Sequence, residues 1–134
     1  MIMDKQLEVG KRRLEKDAFA RYLDIKITKI KPGYASATLK VTPDLLNGEG
    51  LTHGGAIFSL ADLVFAAASN SHGTLALALN VNISFLKATR DGAVLTAVAR
   101  EENLTRKTGL YRLEVRDESG ELVALAEGLA YRRG

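Results

Sequence analysis

At 134 residues, 46% of them hydrophobic and 26% charged, the chain has the length and balance of one globular domain. Its net charge of +3 suits an anionic ligand and is too small to argue for nucleic acid. Cysteine is absent, which excludes disulfides, thiol nucleophiles and cysteine-based zinc sites together, and the two histidines, His53 and His72, are too far apart for a helical metal pair.

No window carries the roughly 18 consecutive apolar residues of a membrane span. The start, M-I-M-D-K-Q-L-E-V-G-K-R-R, lacks the apolar block of a signal peptide, so a cytoplasmic protein without a membrane partner is expected. Leu7, Leu14, Ala18 and Tyr22 recur near helical spacing among Lys and Arg, which predicts an amphipathic helix over about residues 1–22, weakened by Gly10. Next, D-I-K-I-T-K-I-K alternates and slips by one residue after Ile27, as a strand with a bulge does. Pro32-Gly33 is a turn, and Ala35, Ala37, Leu39 and Val41 then share one face of a second strand, completing a hairpin.

Pro43 to Leu46 turns the chain into the stretch Asn47 to Gly73, a glycine-rich loop that becomes an almost wholly apolar run. Ala56, Ile57, Phe58, Leu60, Ala61, Leu63, Val64, Phe65 and Ala66 to Ala68 surround the helical wheel, the mark of a buried helix. After Gly73, Leu75, Leu77, Leu79, Val81, Ile83 and Phe85 are expected to face one way, with Ala76, Ala78, Asn80, Asn82 and Ser84 facing the other. Three more strand-like runs follow near residues 93–103, 107–117 and 121–132, with Asp91-Gly92 and Ser119-Gly120 as turn pairs. There is no internal repeat and no linker, so residues 1–134 read as a single α+β domain. Short turns between consecutive strands imply an antiparallel sheet around the long helix. One side of that helix is left uncovered, which calls for a second subunit.

One ionisable residue, Asp62, lies in the middle of the apolar helix. It is either a carboxylate meeting solvent or an arginine, or a general base or nucleophile lining a pocket; Ser59, Ala66 and Ser69 share its narrow small-and-polar stripe. Gly54 and Gly55 open the helix, where backbone N–H groups have no partner one turn back and the dipole favours an oxyanion. A sharp entry turn alone also explains the two glycines. Asn47 is a turn residue or a hydrogen-bond donor to a carbonyl or water, and His53 is a helix-entry residue or a donor beside the ligand. His72, near Gly73, reads as a C-terminal cap.

Gly54 and Asp62 are separated by roughly 12 Å of helix axis. One helix therefore does not easily place both on one carbonyl, whereas two antiparallel helices across a dimer interface do. Lys87 and Arg90, and Arg106 and Lys107, fall at strand ends, where they either face solvent or clamp the phosphates of a ligand. The loop G-E-G-L-T-H-G fits neither the dinucleotide fingerprint nor a P-loop, and no G-x-S-x-G elbow occurs.

The run L-N-G-x-G-x-x-H-G-G-x-x-F-S-L-A-D, followed by F-A-A-A-S-N-S-H-G, resembles the hotdog-fold acyl-CoA thioesterases of the phenylacetic-acid (PaaI-like) type, as do S-F-L-K-A and T-G-L-Y-R-L-E-V further on. The likeness runs from about residue 17 to the end. It implies a long helix wrapped by a five- to six-stranded antiparallel sheet, in a homodimer or homotetramer. It further implies Asp62 as catalytic carboxylate, the Gly54 or Gly55 amide as oxyanion donor, and Asn47 and His53 around the thioester. The substrate would be an acyl-CoA, aromatic or medium-chain, with coenzyme A part of the substrate and no separate cofactor. Lys87-Ala88 departs from the Arg-Pro pair common in the family, which bears on the coenzyme contacts. A rival reading is a non-catalytic acyl-CoA-binding hotdog module; the regulators of that kind carry a DNA-binding helix pair, for which the first 22 residues are too few. A dehydratase would need a His-plus-acid pairing that the sequence does not offer.

Overall fold

The structure, a computed structural model, describes residue 8 and residues 11–133. Much of the expected first helix therefore lies outside the described residues. Within them, residues 11–15 are helical, a turn intervenes, and a separate helix α1 (Ala18–Tyr22) follows. The single helix expected to run through residue 22 is thus interrupted. The cause is Asp17, whose Oδ1 accepts the Ala20 N–H at 3.0 Å and starts a new helix as its N-cap.

Strands β1 (Lys26–Lys31) and β2 (Tyr34–Lys40) form the expected hairpin, with the register slipping between Ile27 and Lys29. After a 3₁₀ turn (Pro43–Leu45) comes the long helix α2 (Gly54–Ser69). Four strands complete the chain: β3 (Ala76–Phe85), β4 (Val94–Leu104), β5 (Thr108–Arg116) and β6 (Leu122–Arg132). All six pair antiparallel in the order β1-β2-β4-β5-β6-β3, leaving β1 and β3 as the edges. The sheet wraps α2 in the hotdog arrangement.

Alternation explains the core. Ala35, Ala37, Leu39 and Val41 point inward from β2, and Leu95, Ala97, Ala99, Leu113 and Val115 from the next two strands; all are buried against Leu60, Ala61, Val64 and Phe65 of α2. Alanines dominate the facing positions, so the helix approaches the sheet closely. Phe65 packs on Tyr111 with ring centroids 5.7 Å apart, and Gly128 makes room for it. A Cβ at Gly128 would stand 2.8 Å from the Phe65 ring.

Two expectations change. The cap of α2 is Asn70, whose Nδ2 donates to the Ala66 and Ala76 carbonyls and whose Oδ1 accepts the Ala76 N–H. His72 lies beyond it, with Nε2 2.6 Å from Glu101 Oε2. The alternation in β3 also breaks: a bulge between Ala78 and Asn80 shifts the phase, so Ala76 is buried while Leu77 and Leu79 are exposed. Past the bulge, Val81 and Ile83 turn to the core.

The uncovered side of α2 carries Gly55, Phe58, Ser59, Asp62 and Ala66, all at least partly accessible; Ser69 of the expected stripe is buried. The amino-terminal segment covers part of this side, with Leu14 and Leu23 packed against the core.

Candidate active site

The loop before α2 is built around one side chain. Asn47 Oδ1 accepts the N–H groups of Glu49 at 2.9 Å and Leu51 at 3.1 Å, which folds the loop back on itself. Both uses of the oxygen leave the Nδ2 group as the outward donor. The Thr52 N–H donates to the Thr89 carbonyl, and the two threonine hydroxyls lie 2.7 Å apart, fastening the loop to the segment after β3.

His53 caps α2. Its Nδ1 accepts the Gly55 N–H at 2.8 Å, so the neutral ring carries its proton on Nε2. The Gly55 amide is therefore committed within the chain. The Gly54 amide has no acceptor among the described residues, and Gly54 lines a cavity of about 350 Å³ with Asn47, Thr52, Ile57 and Phe85. A free N–H at the positive end of a sixteen-residue helix is suited to an oxyanion.

Asp62 opens into a different cavity, of about 240 Å³, lined by Leu14 and Asp17 of the amino-terminal segment, Phe65 and Ser69 of α2, and Ala76 and Leu77 of β3. No cation pairs with Asp62 among the described residues, although Arg13 also reaches this cavity. Burial, and to a smaller extent the facing Asp17 carboxylate, push the Asp62 carboxyl above its ordinary range. That makes it more basic than a solvent-exposed aspartate, as proton abstraction near neutrality requires.

Within one chain the two halves do not meet. Gly54 and Asn47 share a cavity with Phe85 at the end of β3, while the Asp62 cavity is walled by Ala76 to Ala78 at its start.

The basic residues are likewise divided. Lys87 is held by Asp117 Oδ2 at 2.5 Å and Glu121 Oε2 at 2.8 Å. Asp117 in turn accepts the Ser119 N–H and hydroxyl and the Glu121 N–H, so Lys87 locks the β5–β6 turn. Arg90 lies exposed at the same end of the sheet, in a cleft it shares with Asp117 and Glu118. Arg106 and Lys107 sit on the β4–β5 turn at the other end, where the Lys107 carbonyl accepts the Arg132 N–H and its Nζ stands 5.8 Å over the Tyr131 ring. The length of a nine-residue strand, about 30 Å, separates the two pairs.

Leu14, Asp17, Phe65 and Asn70 were not read from the sequence as site residues. Asp17 had a local signal: an N-cap aspartate followed by the helix-forming A-F-A-R-Y. The wall formed by Leu14 depends on tertiary contacts and had none.

The family model of the thioesterase superfamily matches residues 49–124, the loop, α2 and the first three of the strands behind them with the start of the fourth. The chain belongs to the thioesterase superfamily. Its activity is that of a thioester hydrolase, on the hotdog fold of the PaaI-like members. It is 41% identical over 120 residues to the acyl-coenzyme A thioesterase PaaI of Escherichia coli K12, covering 90% of this chain and 86% of the relative. The solved structure of the E. coli PaaI protein from the phenylacetic acid degradation operon superposes with a TM-score of 0.95 at 37% identity, over 100% of this chain and 97% of that one. A hypothetical thioesterase protein with coenzyme A from Streptococcus pneumoniae TIGR4 matches with a TM-score of 0.86 at 27% identity, over 92% and 96% of the two chains. Among the described residues, no helix is long and apolar enough to cross a membrane and no cluster of potential metal ligands occurs.

Proposed function

We propose that the protein hydrolyses acyl-CoA thioesters at sites shared between two subunits, with Asp62 from one chain and Gly54, Asn47 and His53 from the other. The observation that carries this reading is the division of the site between the two ends of an unpaired edge strand. β3 exposes Leu77, Leu79 and Phe85 at 57%, 60% and 52%, together with a full row of backbone groups. Such an edge pairs readily with another strand, and pairing with its own copy about a two-fold axis is antiparallel. That operation carries the start of β3, with the Asp62 cavity, to the end of the partner's β3, beside the free Gly54 amide. The acyl-CoA activity of the E. coli relative and the coenzyme A in the streptococcal one support the substrate class.

In this reading the thioester carbonyl oxygen accepts hydrogen bonds from the Gly54 amide and Asn47 Nδ2 as it gains charge. His53, holding the Gly55 amide, presents Nε2–H beside the leaving group. Asp62 takes a proton from attacking water, or adds to the carbonyl itself and expels the thiolate to leave a mixed anhydride that water then hydrolyses; either route ends in C–S cleavage, a free carboxylic acid and coenzyme A with its thiol reprotonated. Aromatic acyl groups, such as phenylacetyl, are the favoured substrates, with medium-chain groups next. Because Lys87 is held by two carboxylates, Arg90 from one chain and Arg106 and Lys107 from its partner are the better phosphate contacts, and β3 pairing brings those two ends together. Two such dimers pairing again give a homotetramer, in the cytoplasm.

The test is coenzyme A release from a panel of aryl- and alkyl-CoA thioesters by the wild type and Asp62→Asn. Turnover that falls about 10²–10⁴-fold in the variant supports the assignment. Activity retained by Asp62→Asn removes Asp62 from the chemistry, and binding of every thioester without hydrolysis by the wild type favours the non-catalytic module.

A further inference from the structure

The Asp62 cavity does not end in bulk protein. On its far side runs a groove of about 510 Å³ between the amino-terminal segment and β1, lined by Lys11, Glu15, Ile27, Thr28 and Ile30. Leu14 belongs to the walls of both and, among the described residues, is the one common to them. We propose that Leu14 is the partition that sets the length of the acyl group: it closes the Asp62 cavity against the groove, so that short or compact acyl groups fit and long chains are turned away. This rests on the acyl-CoA thioesterase reading above.

Three features make the Asp62 cavity an acyl pocket. Two of its polar side chains, Ser69 and Asn70, are spent on the protein itself: Ser69 Oγ donates to the Ala66 carbonyl, and Asn70 holds Ala66 and both backbone groups of Ala76. Beside them Phe65, Ala66, Ala76 and Leu77 present apolar surface, with the charged Arg13 and Asp17 on the amino-terminal side. The carboxylate of Asp62 stands in its wall, so a carbonyl held against Asp62 directs its acyl substituent into this space.

The groove beyond mixes apolar and charged side chains, Lys29 among the latter. The β1 bulge at Thr28 lets Ile27 and Ile30, three residues apart, both pack against the core and floor the groove, while Lys11 and Glu15 stand at its rim. Leu14 is only partly buried and sits on the short helical segment at residues 11–15. Truncating it removes the wall and leaves the rest of both cavities in place.

The experiment compares kcat/KM across straight-chain acyl-CoA substrates of increasing length, with phenylacetyl-CoA as the compact reference, for the wild type, Leu14→Ala and Leu14→Phe. Leu14→Ala should raise the ratio of long-chain to phenylacetyl-CoA activity by about tenfold or more, the range set by a few methylenes in an apolar pocket. Leu14→Phe, which keeps the wall, should leave that ratio at or below the wild-type value. An active Leu14→Ala enzyme with an unchanged ratio overturns the proposal, as does a wild type that already prefers long chains. Loss of all activity in Leu14→Ala while Leu14→Phe keeps the wild-type profile makes Leu14 structural and also overturns it. A wild type that hydrolyses no acyl-CoA fails the thioesterase reading, which is a separate result.

Discussion

Asp62 is the residue on which the most depends, and its environment makes opposite demands on activity and stability. A carboxyl whose folded pKa is raised stabilises the fold fully below its unfolded pKa, and that contribution is lost as pH rises through the folded value. Near neutrality the ionised side chain is therefore a net destabilising group. Asp62→Asn should melt at a higher temperature than the wild type at pH 7, with the difference shrinking as pH falls through the carboxylate range, in thermal scans at several pH values. Asp17 supplies part of the upward push. Among the described residues Arg13 is the one other charged group lining the cavity, and neither β3 nor the rest of α2 adds a titratable side chain to it. Asn caps a helix about as well as Asp. Asp17→Asn should thus keep α1 intact while moving the acid limb of the pH–rate profile to lower pH, a shift short of the full displacement because burial is the larger cause. At this scale the sequence was half legible. Asp62 stood out because a charge in an apolar helix conflicts with packing unless it has a use, and Gly54 with Gly55 because the amides that open a helix lack partners one turn back. The sequence left Gly54 and Gly55 equivalent, and they separate only because His53 occupies one of the two amides. Lys87 looked free because Asp117, its partner, is thirty residues away.

Elements were easier to read than their faces. The glycine turns and the period-two patterns located the strands, and even the β1 slip was visible, because Ile27 and Ile30 cannot both face inward in a regular strand. In β3 the phase was illegible: leucine and alanine alternate, so either face is apolar and the bulge leaves no mark in composition. The packing of α2 gives two checks. Asn70→Ala removes three hydrogen bonds and strands the buried Ala76 backbone, which should cost about 1–3 kcal/mol or more in denaturant unfolding and loosen the junction with β3. Gly128→Ala drives a methyl against the Phe65 ring, and overpacking of this kind should destabilise by about 1–3 kcal/mol by the same measurement. Phe65 also walls the Asp62 cavity, so the Gly128 variant is expected to raise KM for the acyl substrate as well.

For the molecule as a whole, the proposed shared site makes a prediction that no single-chain site makes. Asp62→Asn and Asn47→Ala should each be inactive alone. Coexpressed, half of the dimers carry one of each, and every such dimer has one site with both residues intact, so roughly a quarter of wild-type activity should return. No recovery in verified heterodimers would put both residues in one chain's site. A charge on the exposed edge, as in Leu79→Lys, should give a folded monomer by light scattering that does not turn over.

The Asp62 cavity and the free Gly54 amide lie at opposite ends of one strand, so on the proposed mechanism a lone chain carries two half-sites and no whole one. Turnover per chain is then not a constant of the protein. Below the dissociation constant of the dimer, the number of working sites falls with the square of the chain concentration, so halving the enzyme quarters the rate. An assay run at high dilution would report a slow enzyme, and the cell could set flux through this step by expression level more steeply than in proportion.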